Sequence, residues 1–186
     1  PFAPMMVDQP KIPAPTCYLD RDDLTDHDRG IKYANMLEAE IIKQGPETVL
    51  GFIMEPVGGA ATGALVAPDS YYSRIREICD QYGILLIYDE VMTGAGRTGT
   101  YFAAEHWGIT PDILAVSKGL AAGYAPLGAM IAPDRIVGPV LDHGGFIHGY
   151  TYAGNPLACA TGNAVLDVIE EDDLLENVTT SGAALK

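Results

Sequence analysis

Two short runs of the sequence decide the fold: Ile84-Leu-Leu-Ile-Tyr88 and Asp112-Ile-Leu-Ala-Val116. The first is an apolar run of five residues and the second has four apolar residues after Asp112, which is typical of strands buried on both faces. Similar runs span 49–54 and 127–132, and stretches with helical spacing separate them. Strands that alternate with helices predict an α/β domain with a mainly parallel central sheet flanked by helices.

Besides a short helix around residues 103–107, three longer helices are predicted around these strands. The first has apolar residues at helical spacing and ends at Gly45-Pro46. The second begins at Asp69 or Ser70 as the N-cap, and its apolar stripe comprises Tyr72, Ile75, Ile78 and Tyr82. The third begins at Asn155-Pro156, an N-cap followed by proline, and its predicted packing face comprises Leu157, Ala160, Ala164 and Val168.

The composition excludes several classes of protein. Hydrophobic residues make up 48% of the 186 residues, which predicts a globular chain with a substantial core. The formal net charge of −14 repels phosphate backbones, so nucleic acid is not expected as a partner. The three widely spaced cysteines fit no metal site and are typical of a reduced, cytoplasmic protein. No apolar run is long enough to predict a membrane span.

Ionisable residues follow both of the strands that decide the fold. Asp89 and Glu90 follow the first, and Ser117-Lys118-Gly119 follows the second. Because ligands bind outside the carboxyl ends of parallel strands, we expect Asp89 and Lys118 to face one crevice. Taken singly, a lysine in such a turn is usually a solvated surface group, and an acidic pair is usually a helix cap or an exposed turn.

Together, these two residues suit pyridoxal phosphate. That cofactor needs an amine to form a Schiff base and a carboxylate to keep its ring nitrogen protonated. A glycine-rich loop at 94–99 directly follows Asp89 and allows close backbone approach. The sequence therefore predicts a pyridoxal-phosphate enzyme.

Several motifs resemble those of class III aminotransferases, in the family's order. They are Glu55-Pro-Val57, the run Gly83-Ile-Leu-Leu-Ile-Tyr-Asp-Glu-Val-Met-Thr-Gly-Ala-Gly-Arg-Thr-Gly99, Pro111-Asp112, Ser117-Lys-Gly-Leu120, Pro126-Leu-Gly-Ala129 and His148-Gly-Tyr-Thr-Tyr-Ala-Gly-Asn-Pro156. The resemblance covers nearly the whole chain. It implies the large domain of a fold-type-I pyridoxal-phosphate transferase.

The resemblance also implies roles for individual residues. Lys118 would form the Schiff base and shuttle the proton, and Asp89 would pair with the ring nitrogen. Val91 would pack on one face of the ring, and Glu55 would lie close to it. Thr151, helped by the backbone of Tyr150, would bind the cofactor phosphate of the neighbouring subunit, so a homodimer with shared active sites is implied. Arg97 and Thr98 would support the loop, whereas His106 and Trp107 are expected to pack.

Two positions depart from the family pattern. Met92 stands where some members have a glutamine that bonds the ring hydroxyl, and a thioether is a poor substitute. Ala60 stands where some ω-amino-acid enzymes have a glutamate. The second departure favours the amine:pyruvate-like branch of the family.

The chain is expected to be part of a longer enzyme, since it begins at Pro1-Phe2 without an initiator methionine. Residues 1–155 would form a partial large cofactor-binding domain. Residues 156–186 would form a helical segment leading towards a C-terminal small domain.

The expected reaction moves an amino group from an amine or ω-amino acid to a keto acid, with a pyruvate-like acceptor favoured. Two alternatives stay open from the sequence. One is other pyridoxal-phosphate chemistry on the same fold, as in an aminomutase or a decarboxylating relative. The other is a non-catalytic, truncated cofactor-domain module.

Overall fold

The computed structural model describes residues 3–5 and 7–186, so the predicted feature at Pro1-Phe2 lies outside the described residues. Within the described part, one sheet contains four strands in the order β1-β2-β3-β4. They are β1 (Gly51–Met54), β2 (Leu85–Asp89), β3 (Ile113–Val116) and β4 (Ala129–Ile131). The first three are parallel and β4 is antiparallel to β3, which confirms the mainly parallel sheet.

The described residues also form five α-helices. They are α1 (Asp26–Gln44), α2 (Asp69–Tyr82), α3 (Asp134–Asp142), α4 (Pro156–Glu171) and α5 (Leu174–Leu185). Short 3-10 helices at Ala103–Trp107 and Lys118–Ala121 follow β2 and β3. None of the helices in this part of the chain combines the length and the apolar character that crossing a membrane requires.

The core lies between the sheet and the pair α1 and α2. Leu86 and Tyr88 of β2 are fully buried in one cluster with Ile75 and Ile78 of α2. Successive residues of a strand point to opposite faces, so Ile87 and Asp89 point away from this cluster and are half-buried. The carboxylate of Asp89 therefore lies on the face that α1 and α2 leave uncovered.

The predicted N-cap of α2 was wrong. Pro68 occupies the N-cap position and offers no side-chain cap. Ser70 Oγ instead donates to the carbonyl of His27, at 2.7 Å, and Asp69 Oδ1 accepts from Trp107 Nε1, at 3.1 Å. Both side chains join α2 to neighbouring elements, because tertiary partners compete with the local cap for the same polar atoms.

The start of α4 was predicted correctly, but its packing face was not. Asn155 Oδ1 accepts from the N–H groups of Leu157 and Ala158, at 3.0 and 3.1 Å, as an N-cap does. Leu157 is 76% exposed, whereas Gly162 and Ile169 are buried. A Cβ atom at Gly162 would lie 2.7 Å from Leu127 Cδ2, so the helix approaches the loop before β4 through its glycine.

Asp112 links the beginnings of β2 and β3. Its Oδ2 accepts from Leu86 N–H, at 2.8 Å, and from the Arg76 guanidinium, at 2.9 Å, while Oδ1 pairs with Arg135. Burial alone would raise the pKa of this carboxyl, but the Leu86 N–H and the two guanidinium groups outweigh burial and lower it. Asp112 is therefore held as a carboxylate between the two strands that lead to the site.

Candidate functional site

The carboxyl ends of β2 and β3 bring Asp89 and Lys118 to one edge of the sheet. Asp89 ends β2 and is paired in register with Ala115 of β3. The N–H of Glu90 donates to the carbonyl of Ala115, at 2.8 Å, which extends the contact beyond the last strand residue. Lys118 follows β3 by two residues, so both side chains begin at the same edge.

The Asp89 carboxylate is only partly satisfied within this chain. Its Oδ1 accepts from the N–H of Val91, at 3.0 Å. Among the residues that the structure describes, no other group donates to it. One carboxylate oxygen therefore remains able to accept a hydrogen bond from a ligand.

Lys118 has an unusual backbone conformation for a residue with a side chain. Its φ is +46°, in the left-handed region, and the preceding Ser117 is extended. This conformation costs roughly 1–2 kcal/mol for an L-residue, and such strained residues cluster at functional sites. The abrupt turn ends β3 and presents the exposed lysine at the edge of the sheet.

The Lys118 amine has no acidic partner in the described part of the chain. Its Nζ atom lies 2.8 Å from Met92 Sδ. No carboxylate of the described residues, Asp89 included, lies within ion-pair distance of it. The amine and the Asp89 carboxylate therefore share an edge of the sheet without neutralising each other.

Glu55 lies at the same edge because it directly follows β1. It is exposed, and its Oε2 accepts from the N–H of Gly59, at 3.0 Å. A Cβ atom at position 59 would lie 2.8 Å from Glu55 Oε1 and 3.4 Å from Met92 Cγ. A side chain at position 59 would displace the Glu55 carboxylate and touch Met92, so this turn lies beside the Met92 side chain that Lys118 Nζ contacts.

The sequence assigned no role to Glu90, which the structure buries next to Asp89. Tyr88, two residues before Glu90 in the chain, is also buried, and burial raises the pKa of its phenol well above the ordinary value. Glu90 is 0% exposed and accepts hydrogen bonds from Thr93 and from the backbone of Ala103 and Ala104. The sequence signal for Glu90 was the acidic pair, since such a pair is often a helix cap, and Glu90 does accept from the first N–H groups of the 3-10 helix at 103–107.

The glycine-rich loop packs tightly below Asp89. A Cβ atom at Gly94 would lie 2.9 Å from the carbonyl oxygen of Glu90 and 3.1 Å from Val116 Cγ2. The Arg97 guanidinium donates to the carbonyls of Val91, at 2.6 Å, and Gly94, at 3.2 Å. Arg97 thus has the loop-supporting contacts that the sequence predicted.

The chain does not bring Tyr150 and Thr151 to this edge. Both are exposed in the segment that precedes α4, and Tyr150 is 77% exposed. No hydrogen bond between described residues joins either of them to Asp89, Val91 or Lys118. Their side chains therefore face outwards.

The residues at the edge fit pyridoxal phosphate. An amine without an ion-pair partner suits the aldehyde carbon, and a carboxylate oxygen with no donor suits the protonated ring nitrogen. Val91, two residues after Asp89, is half-buried. The phosphate would need donors from outside this edge.

A model of the family described as Aminotransferase class-III matches residues 1–186. The chain belongs to this family. Class III aminotransferases are pyridoxal-phosphate enzymes, so the resemblance predicted from the motifs is confirmed, and so are the fold type and the cofactor of the family.

Two relatives from Pseudomonas aeruginosa illustrate the similarity in sequence. The chain is 40% identical over 173 residues to a putrescine–pyruvate aminotransferase, with 92% of the chain and 38% of the relative covered. It is 43% identical over 153 residues to a β-alanine–pyruvate aminotransferase, with 79% and 34% covered. The chain thus spans less than two fifths of the length of these relatives.

Solved structures agree with the fold. An (S)-enantioselective ω-transaminase from Thermomicrobium roseum superposes with a TM-score of 0.89 at 40% identity, covering 99% of this chain and 42% of the other. An amine transaminase from an uncultivated Pseudomonas species, in its pyridoxal-phosphate-bound form, gives 0.85 at 43% identity, covering 92% and 39%. The class III chain therefore has the fold-type-I architecture.

Proposed function

We propose that the protein is an aminotransferase that moves an amino group from an amine or ω-amino acid to a keto acid, with a pyruvate-like acceptor favoured. The observation that carries the proposal is the pairing of two groups at adjacent strand ends: a lysine amine without an ion-pair partner and a carboxylate with a free oxygen. The names of the putrescine–pyruvate and β-alanine–pyruvate relatives support the choice of acceptor.

Each residue at the edge has one task in this proposal. Lys118 Nζ would hold the cofactor, and its amine would move the proton at the substrate's Cα. Asp89 would keep the ring nitrogen protonated through its free oxygen. When bound, pyridoxal phosphate supplies the electron sink that makes the Cα–H acidic. Val91 would pack against the ring, and Glu55 would lie beside it.

A homodimer with shared active sites completes the proposal. Tyr150 and Thr151 are exposed on this chain, as they would have to be to reach a neighbouring subunit. In the dimer, the Thr151 hydroxyl and the backbone of Tyr150 bind the phosphate of the neighbour's cofactor. The three cysteines are free, which fits a reducing cytoplasm. Residues 1–155 then belong to the large domain, and 156–186 lead towards a small domain.

Borohydride reduction of the protein with pyridoxal phosphate tests the attachment. The expected product is a cofactor adduct on the peptide that contains Lys118, found by mass spectrometry. Lys118→Ala should abolish the adduct, and Lys43→Ala, which removes an exposed lysine of α1, should leave it unchanged. An adduct of equal yield in both variants would contradict the role of Lys118.

Spectroscopy with substrates tests the reaction. The visible band of the bound cofactor should disappear with an amine donor and return with pyruvate. A band that does not return with any keto acid would contradict amino transfer and favour an aminomutase or a decarboxylating enzyme. Asp89→Asn should keep the adduct, since its amide oxygen still accepts from Val91 N–H, but should lower turnover about 100-fold or more.

A further inference from the structure

We propose that Glu90 is a positioning residue, which holds the turn at residues 89–94 so that Asp89 and Met92 face the cofactor. The proposal rests on the proposed function, because it concerns the carboxylate assigned to the ring nitrogen. Neither the resemblance nor the spacing of motifs gives Glu90 a task of its own. The burial of Glu90 and its hydrogen bonds are the observations that assign it this role.

The Glu90 side chain is a fully buried acceptor of three hydrogen bonds. Oε2 accepts from the Thr93 hydroxyl, at 2.8 Å, and from Ala103 N–H, at 2.7 Å. Oε1 accepts from Ala104 N–H, at 2.9 Å. Three donors converge on two oxygens, and an ionised carboxylate satisfies all of them because it only accepts.

These bonds fasten both ends of the turn. The Glu90 N–H donates to Ala115 of β3, and its carbonyl accepts from Gly94 N–H, both at 2.8 Å. The side chain then anchors the same residue to the 3-10 helix at 103–107. Asp89 lies directly before this anchor, and Met92, which contacts Lys118 Nζ at 2.8 Å, lies directly inside the turn.

The two acidic side chains therefore have different positions and different roles. Asp89 points to the uncovered face of the sheet, where it is half-buried, and Glu90 points into the protein. A shift at Glu90 moves the adjacent Asp89 and the contact between Met92 and Lys118 together. This coupling makes Glu90 a positioning residue rather than a general support for the fold.

Glu90→Gln is a sharp test because the amide has the same shape but only one acceptor oxygen. In either orientation of the amide, its NH₂ group faces at least one buried backbone N–H, from Ala103 or Ala104. The matched control is Glu105→Gln. Glu105 accepts from Phe102 N–H, at 2.7 Å, at the start of the same 3-10 helix, but it is exposed and needs only one acceptor oxygen.

Three readouts are measured in wild-type protein and both variants. They are the exchange of backbone amides in residues 91–94 without cofactor, the dissociation constant for pyridoxal phosphate, and the pH midpoint of the visible band. Glu90→Gln is expected to speed the exchange, weaken cofactor binding about tenfold and shift the midpoint. Glu105→Gln is expected to leave all three at wild-type values.

The proposal is overturned if Glu90→Gln only lowers the unfolding temperature and leaves cofactor affinity and the pH midpoint unchanged. If that variant does not fold, Thr93→Val removes a single donor and should change the same readouts in the same direction, to a smaller extent. Wild-type values in Thr93→Val would then overturn the proposal.

Failure of the proposed function has a different signature. In that case wild-type protein forms no reducible adduct at Lys118, whatever residue stands at position 90. The amide exchange without cofactor still decides about Glu90, because faster exchange of 91–94 in Glu90→Gln alone supports its hold on the turn. Unchanged exchange overturns it.

Discussion

Replacing Asp112 by alanine should destabilise the protein by about 3–4 kcal/mol, because the carboxylate is buried among three donors. The change leaves the Leu86 N–H unpaired inside the sheet, which costs about 1–3 kcal/mol. It also removes a buried ion-pair partner of Arg76, a loss that typically costs about 3–5 kcal/mol. Arg76 keeps Asp80, at 2.7 Å, so we expect its share to fall to about 2 kcal/mol, below the typical range, and the total to be about 3–4 kcal/mol.

Urea unfolding followed by the fluorescence of the single tryptophan measures this loss. Trp107 stacks on Tyr72 in the core, at 3.7 Å between ring centroids, so its emission reports on the packed state. In thermal unfolding followed by the same fluorescence, the melting temperature should fall by roughly 6–16 °C, at about 2–4 °C per kcal/mol for a chain of this size. The matched control, Asp80→Ala, removes the exposed partner of the same arginine and should cost less than about 0.5 kcal/mol.

The contribution of Asp112 to the free energy of unfolding should also depend on pH. The pKa of Asp112 is lowered in the folded state, so its contribution is complete above the unfolded-state pKa of about 3.9 and is lost as pH falls through the folded value. The difference in the free energy of unfolding between wild-type protein and Asp112→Ala should therefore shrink below about pH 4. Equal losses in Asp112→Ala and Asp80→Ala, or a gap that is constant with pH, would refute the reasoning.

Three further outcomes are expected. Lys118→Gly should be more stable than Lys118→Ala by about 1 kcal/mol in urea unfolding, since glycine accepts the positive φ at this position, and equal stabilities would contradict the strain. Thr151→Val should weaken pyridoxal-phosphate binding about tenfold in an absorption titration without changing the unfolding midpoint, because its side chain is exposed; unchanged affinity would exclude it as a phosphate ligand. Gly94→Ala should cost about 1–3 kcal/mol in the same unfolding assay, because the new methyl group would meet the Glu90 carbonyl and Val116, and a neutral effect would show that the loop can move aside.

The sequence by itself determined the strands that carry the site and the residues at their ends. Continuous apolar runs separated by helical patterns are local signals, and they predicted β2 and β3 to within about one residue. Parallel neighbours present their carboxyl ends at one edge, so the sequence alone assigns Asp89 and Lys118 to that edge. The start of α4 was equally predictable, because the side chain of an asparagine accepts from the first backbone N–H groups of a helix that begins with proline.

Other features follow from contacts between residues far apart in the chain, and the tertiary structure alone decided them. Asp89 and Glu90 are adjacent acids, yet only Glu90 is buried, because the N–H groups of Ala103 and Ala104 happen to meet it. The predicted face of α4 was wrong for the same kind of reason. Its apolar side chains do not specify a partner, and the loop at Leu127 packs against Gly162 instead. Helical and strand periods fix which residues share a face, but burial of a face depends on what the rest of the chain brings against it.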